Sequence, residues 1–513
     1  MDQIKKIQIP VYTLLILTFA TLVYSLKVYT NGFFTYALDD TYIHLSMAKN
    51  LATKFILSVD GYHYATASSS PLYTIILAFF YVLSDKLFYY IPFLLNILSQ
   101  ILILIVVKKI IEEIFLYKIH HLQMILLFLL TPFIPLSFGG MEHSLQILLI
   151  LLLLYNFLLL LEDTKNQKIK ITMVILAPFV AFVRYENFAL IFMISFVLAL
   201  FNKDYIFSII LFISSFFFVF LFGLWSLHFG LGFFPSSIMA KSIVGDQLNL
   251  ISLISKVFYN LTEKLKLGIY IDVLIIINLL ILLKSKNNRL FYLSLIFILT
   301  TLIHVSFARI GSFYRYDAYL VLLGIINIYI FLNDVTPKKW QKAIIYSVLI
   351  IFHIPHLFSP IISALATKNI YEQQIQMAQF LKKYKNDANI AANDIGAITY
   401  FTEIKLLDLA GLGNYEVLKL IKIGNFNNET AQKLLLDYNV ELIIVYEDWF
   451  KNISFENDYY KKMGEWKIKK NVVCGGDTVS FYSRKDVFNL NLELFKHYSE
   501  KELPKDVVYK IIE

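Results

Sequence analysis

The sequence predicts an all-α polytopic membrane protein of about 11 spans, with juxtamembrane helices on its outer side and a C-terminal α/β domain. Three observations carry this. The 513-residue chain is 58% apolar and 16% charged, with a mean hydropathy of +0.64, where a soluble domain is nearer a quarter charged. Apolar runs of about 20 residues, the length that crosses a bilayer, recur from residue 10 to residue 360. Past residue 362 the chain turns polar, and helical stretches such as YEQQIQMAQFLKKYK alternate with short apolar segments.

The first run, 10–29, follows Lys5 and Lys6. No small-residue cleavage site follows it, so it reads as a retained helix rather than a signal peptide. The later runs are 88–107, 121–138, 143–161, 171–183, 187–201, 205–228, 268–283, 290–306, 317–332 and 343–359. PLYTIILAFFYVLS, 71–84, has 14 residues, short of a span. Charge decides how to count it. If it does not span, the loops 1–9, 108–120, 162–170, 202–204, 284–289 and 333–342 share one side and hold 15 Lys and Arg. The other side holds 11 over more than twice the length, a clear positive-inside bias. The 71–84 segment is therefore placed in the outer leaflet. The N-terminus is cytoplasmic, and residues 362–513 lie outside the cell (inner) membrane. The net charge of +8 is a matter of topology and gives no argument for nucleic acid. The single cysteine, Cys474, excludes an intrachain disulfide and a multi-cysteine metal site. The expected units are 1–361, with outer loops 30–87 and 229–267, and 362–513, with strands in ANIAAND, KLLDLA, VELIIVYE and TVSFYS.

This topology brings Asp39, Asp40, His44, Glu142, Arg184, Glu186, Lys241, Arg309, Arg315 and Asp317 to or near the outer face. In LDDTYIHLSMAKNLA, Asp39 or Asp40 can cap the helix that follows. Alternatively, one carboxylate is the general base that deprotonates an acceptor hydroxyl. The other would then raise its pKa, help hold a divalent cation, or cap the helix. Glu142, in SFGGMEHSL, suits a first helical turn or an acceptor or metal contact. Arg184 and Glu186 interrupt about 30 apolar residues, where charges are costly in lipid. They form an outer turn, or a phosphate contact with Glu186 orienting Arg184. Lys241, in FFPSSIMAKS, either holds a phosphate as a point charge or snorkels. Arg309 and Arg315 run against the positive-inside bias, and Arg315 offers a bidentate fork to phosphate.

These motifs, in this order, resemble the polyprenyl-phosphate-sugar-dependent GT-C glycosyltransferases. The likeness is to bacterial members related to mycobacterial terminal arabinofuranosyltransferases, and more distantly to aminoarabinose and protein O-mannosyl transferases. DDTYIHLSMAKNLA has the form of their acidic outer loop, and Asp39 matches the family's catalytic base. YATASSSPLYTIIL resembles the segment after that loop. SFGGMEHSL carries over Glu142 as a site residue. FVRYENFAL resembles an Arg-Pro-Glu-Gly segment, with Tyr185 and Asn187 in place of proline and glycine. In FFPSSIMAKS, Ser236 and Ser237 stand where Asn and Thr are usual, so Lys241 transfers more safely. FYRYDAYLVLL resembles the arginine-tyrosine start of a late span, Arg315 and Tyr316, without the usual proline after it. NIAANDIGAITYFTEIKLLDLAGLGN resembles the opening of an outer domain, with Asn393 and Asp394 on the acceptor side.

The resemblance implies inverting transfer from a polyprenyl-phosphate sugar to a glycan, lipid-linked or protein acceptor at the outer face. Asp39, Asp40 and Glu142 would be the acids of the site. His44, Arg184, Glu186, Lys241, Arg309, Arg315 and Tyr316 would contact substrate. Mg²⁺ or another divalent cation could bind Asp39, Asp40 and Glu142. The alternative is a lipid-linked-saccharide flippase, which would bury polar residues at mid-membrane on discontinuous helices.

Overall fold

The computed structural model describes residues 7–241, 255, 259–260 and 268–512, with Lys241 given by its backbone alone. The chain is a multi-pass membrane protein. All eleven apolar runs lie in helical segments. Five helices are long and apolar enough to cross a membrane: Gln8–Tyr29, Ile91–Ile114, His143–Glu162, Tyr205–His228 and Asn288–Phe307. A sixth candidate is the pair His121–Leu130 and Phe133–Gly139, bent by 52°. Pro132 sets that bend. The residue before a proline is pushed out of the helical region, and Thr131 is extended at φ −91° and ψ 129°. By length and composition the described residues thus supply five or six spans where 11 were expected. Turns at 184–186 and at His353 are among the breaks that keep the other apolar helices below 18 residues.

The 71–84 segment is the helix Pro71–Leu83. Ser70 caps it by accepting from the Tyr73 amide, and Pro71 occupies the first helical position, where its missing N–H costs nothing. Tyr73, Thr74, Leu77 and Ala78 face the protein, while Ile75, Phe79 and Val82 stay exposed. An apolar helix with one apolar face uncovered suits a lipid surface better than water.

A helical rod links the membrane part to the C-terminal part. It runs from Ser359–Ile370 through a π-helical turn at Tyr371–Ile375 to Gln376–Tyr384, so the expected boundary at 361/362 falls inside continuous helix. Beyond it lie β1 (Asn389–Ala392), β2 (Lys405–Asp408), β3 (Leu442–Val445), β4 (Tyr460–Ile468), β5 (Thr478–Arg484) and β6 (Val507–Ile511). They form one sheet in the order β2-β1-β3-β5-β4-β6. β1 pairs in parallel with β2 and β3, while β3–β5, β5–β4 and β4–β6 are antiparallel. β3, Leu442–Val445, is apolar and buried along its whole length, with alternate residues in two separate cores on the two faces of the sheet. Their C-terminal ends, after Ala392, Asp408 and Val445, gather the loops at one edge, where α/β sheets place ligands.

The hydrophobic cores do not follow the chain division. One core lies among the apolar helices. A second joins the outer loop, including Tyr36, Tyr42, Ile43, Met47 and Val59, to Ile395, Ile398, Ile444 and Trp466 of the C-terminal part. Aromatic rings tie the two: Tyr400 stacks on Tyr89 at 5.8 Å, and Phe401 lies 5.7 Å from Tyr42. The outer loop thus packs as part of the C-terminal domain while remaining chained to the membrane helices on either side.

Candidate active site

The outer-loop acids begin the helix Asp40–Lys54. Asp39 is its N-cap residue but makes no side-chain cap bond to it, which corrects the expectation of a local cap. Its carboxylate instead accepts from two backbone amides of the C-terminal domain, Gly396 N at 2.6 Å and Ala397 N at 2.8 Å. These are the free amides that open the helix Gly396–Phe401 after β1, where an anion is favoured. Residue 396 must be glycine for this approach, since an added Cβ would overlap the Asp39 carbonyl oxygen and come within 2.7 Å of its Oδ2. Neighbouring pairs hold the same interface: Ser46 with Thr399 at 3.1 Å, Lys49 with Glu403 at 3.0 Å, and Asp60 Oδ2 accepting from Leu406 N at 3.1 Å.

Asp394 lies beside Asp39, near enough for each to act on the other. Asp394 also accepts from Gln374 Nε2 at 2.6 Å and the Tyr446 hydroxyl at 2.9 Å. Asn393 Oδ1 accepts from Tyr446 N at 3.0 Å. Burial, with the charge of Asp394, raises the Asp39 carboxyl well above its usual range, and burial raises Asp394 as well. A raised folded-state pKa favours the protonated form. The contribution of this pair to stability is therefore complete below the unfolded carboxylate value, about 3.9 for Asp, and is lost as pH rises through the raised values. The expected result is a C-terminal domain that exchanges amide hydrogens faster, at Gly396 and Ala397 first, as pH is raised. Once the intrinsic base-catalysed rise is divided out, Asp394→Asn should flatten that dependence, and an unchanged slope in the variant would contradict the effect of Asp394 on Asp39.

A second group of polar side chains is assembled around Tyr316. Glu142 follows the short helix Phe133–Gly139 and its Gly140 turn, and is the N-cap residue of His143–Glu162. It is fully buried, with Oε1 accepting from Arg184 Nη1 at 2.8 Å and from the Ser69 hydroxyl at 3.1 Å. His44 Nε2 approaches its Oε2 at 3.4 Å, and Ser68 pairs with His44 Nδ1 at 3.0 Å. Arg184 is the extended residue between the helices Gln167–Val183 and Asn187–Asn202, and its Nε donates to Glu186 at 2.8 Å. Arg315 donates to Asp40 Oδ2 at 2.8 Å. Both guanidiniums lie over the Tyr316 ring, Arg184 at 5.3 Å and Arg315 at 5.0 Å, within cation–π range.

Most expected site residues therefore meet, but in two groups: Asp39, Asn393 and Asp394 on one side, and Asp40, His44, Glu142, Arg184, Glu186, Arg315 and Tyr316 on the other. Arg309 does not join them. It is exposed, and its carbonyl faces His304 Nε2 at 2.9 Å. Asp317 binds Gly311 N at 2.8 Å and the Tyr270 hydroxyl, so it shapes the 311–317 turn. The side chain of Lys241 lies outside the described residues. The expected cation triad is not formed either. Asp39 is taken by amides, Asp40 by Arg315 and Glu142 by Arg184, and among the described residues no three His, Cys, Asp or Glu side chains converge on a metal position. Sequence reasoning passed over His143, which is buried with both ring nitrogens unpartnered and its ring 5.9 Å from Tyr316. It also passed over Gln374, Tyr446 and Ser69. Their polarity in apolar surroundings was the available signal.

Together, a helical membrane bundle, an acid-bearing outer loop and a C-terminal α/β domain packed on that loop make up a fold that recurs in a solved membrane protein. ArnT from Cupriavidus metallidurans, solved with undecaprenyl phosphate bound, aligns over 92% of this chain and 97% of its own at a TM-score of 0.57 and 8% identity. At that identity the likeness establishes the fold. The Archaeoglobus fulgidus oligosaccharyltransferase with zinc and sulfate covers 94% of this chain and 77% of its own at 9% identity and a TM-score of 0.46. AglB from the same organism, with an inhibitory peptide and a dolichol-phosphate, covers 96% and 75% at 10% identity and 0.45. Residues 368–482 match a family described as a domain of unknown function, DUF8728. No curated protein matches the sequence.

Proposed function

We propose that this protein is an inverting glycosyltransferase. It moves a sugar from a polyprenyl phosphate to a hydroxyl of a glycan, lipid-linked or protein acceptor, at the extracytoplasmic face of the cell membrane. The reading keeps all eleven apolar runs as spans, the N-terminus in the cytoplasm and the C-terminal domain outside. The observation that carries it is the meeting of two buried arginines with the outer-loop and Glu142 carboxylates around one tyrosine ring. That meeting occurs in a fold shared with an enzyme solved with undecaprenyl phosphate.

The roles follow from placement. Arg184 and Arg315 are positioned to hold the donor phosphate, and the family resemblance, not placement, adds Lys241 as a third cation. Negative charge grows on that phosphate as the glycosidic bond breaks, so fixed cations stabilise the transition state more than the ground state. Asp39 faces the Asn393–Asp394 turn and acts on the acceptor. Each of its oxygens accepts one amide and keeps further lone-pair capacity for a hydroxyl. The hydroxyl oxygen bonds to the anomeric carbon, its proton passes to Asp39, and polyprenyl phosphate leaves from the opposite side. One displacement inverts the configuration.

The test is a donor panel. Full-length protein in nanodiscs is incubated with radiolabelled polyprenyl-phosphate mannose, glucose or arabinose and with membrane extract as acceptor. Consumption of one donor, release of polyprenyl phosphate and a product of opposite anomeric configuration are expected. Retention of configuration would remove the single displacement, and a panel left untouched would remove the transferase.

A further inference from the structure

Three carboxylates already surround the two guanidiniums on Tyr316. Glu142 and Glu186 both pair with Arg184, and Asp40 pairs with Arg315. An anionic phosphate entering this group meets more negative than positive charge among the described side chains. It can bind well only by taking a guanidinium from a resident carboxylate.

The two arginines differ in how easily that happens. Arg184 is held by Glu142, by Glu186 and by the Ser69 hydroxyl. Glu142 has no exposed side-chain surface, so releasing it would strand a charge in a dry site, which is expensive. Asp40 is different, because its side chain is 35% exposed while that of Arg315 is 9% exposed. Water can receive the Asp40 carboxylate as it leaves. Arg315 also holds an unused donor: its Nη1 bonds Asp40 and lies 2.7 Å from Met141 Sδ, but its Nε is buried without a hydrogen-bond partner. A phosphate can take two donors of the fork at once, satisfying the Nε that Asp40 leaves open.

We propose that Asp40 and the donor phosphate compete for Arg315. Asp40 holds the guanidinium in the ligand-free site, and donor binding displaces it. The proposal rests on the polyprenyl-phosphate reading above and adds a resident carboxylate that must be moved aside before the donor seats.

The experiment measures binding of undecaprenyl phosphate to the full-length protein in nanodiscs, for wild type, Asp40→Asn, Arg315→Gln and the double variant. Inorganic phosphate and phosphatidylglycerol are run alongside. Asparagine keeps an oxygen for Arg315 but not the charge, so D40N should bind undecaprenyl phosphate about 5-fold tighter or more. R315Q should weaken binding about 10-fold, and D40N should bring no gain in the R315Q background. Asp40→Ser, smaller and neutral, should repeat the gain if D40N lowers the unfolding temperature. Unchanged or weaker binding by both neutral variants overturns the exchange, as does a gain that survives loss of Arg315. An equal gain with inorganic phosphate assigns the exchange to free phosphate and overturns the lipid donor. An equal gain with phosphatidylglycerol would make it a general response to anionic lipid and overturn the proposal. Failure of the wild type to bind undecaprenyl phosphate overturns the polyprenyl-phosphate reading itself, whatever the variants do.

Discussion

Asp39→Asn is expected to lower turnover about 100-fold or more, the contribution of a positioned general base, while the protein stays folded. The amide is isosteric and its oxygen can still accept from one of the Gly396 and Ala397 amides that the carboxylate binds now. Loss of the other bond, made to a carboxylate, costs about 1.5–3 kcal/mol, less than the roughly 5–15 kcal/mol that holds a typical domain folded. Wild-type activity should rise with pH as Asp39 loses the proton that burial and Asp394 help it keep, and a base must be unprotonated to act. The residual activity of the variant should lack that rise. The check is a pH–rate profile of both proteins with unfolding temperatures measured in parallel. Near-normal turnover by D39N would move the base to Asp40 or Glu142.

What the sequence could reveal depended on whether the signal was local. The acid pair was legible because two carboxylates at the mouth of a membrane helix have few structural uses. Arg184 and Glu186 stood out as charges inside an apolar stretch. The partner of Asp39 was not legible: it is a pair of backbone amides 357 and 358 residues away, and amides leave no mark in sequence beyond the glycine that lets them approach. Arg309 carried the same charge-asymmetry signal as Arg315, yet one is exposed and the other sits on Tyr316. The asymmetry reports a side of the membrane, not a distance.

The fold divides in the same way. Hydropathy located the eleven apolar runs because it averages over a window, and for that reason it ran across the breaks at Pro132 and His353. Four of the six strands were marked by short apolar stretches. β4, YKKMGEWKI, was missed because its pairing shifts at a bulge between Lys462 and Gly464, which breaks the alternation that identifies a strand. β6 is an edge strand with Val508, Tyr509 and Lys510 exposed, so burial left little pattern on it. The expected boundary at 361/362 followed composition. Packing instead joins residues 33–93 of the outer loop region to the C-terminal domain, through contacts that no local pattern encodes.

That joint is where the largest loss from a single methyl group is expected. Gly396→Ala places a Cβ against the Asp39 carbonyl oxygen and within 2.8 Å of its Cγ. Both neighbours are fixed, one as backbone and the other by its two amide bonds, so the helix Gly396–Phe401 must move away from the loop. Movement breaks two hydrogen bonds to a carboxylate, each worth about 1.5–3 kcal/mol. The expected cost is about 3 kcal/mol or more, concentrated at the interface between the outer loop and the C-terminal domain. The sheet should survive, because Gly396 lies outside every strand. Hydrogen exchange should therefore rise at residues 395–401 and 38–46 and stay near wild type at β3 and β5. Turnover should fall with it, since Asp39 loses both groups that hold it in place. Gly413→Ala is the comparison, because its added Cβ would meet nothing closer than 3.4 Å, and it should leave exchange and turnover close to wild type. If G396A matched G413A in both measurements, the outer domain would not be holding Asp39, and its role in the site would have to lie in the acceptor alone.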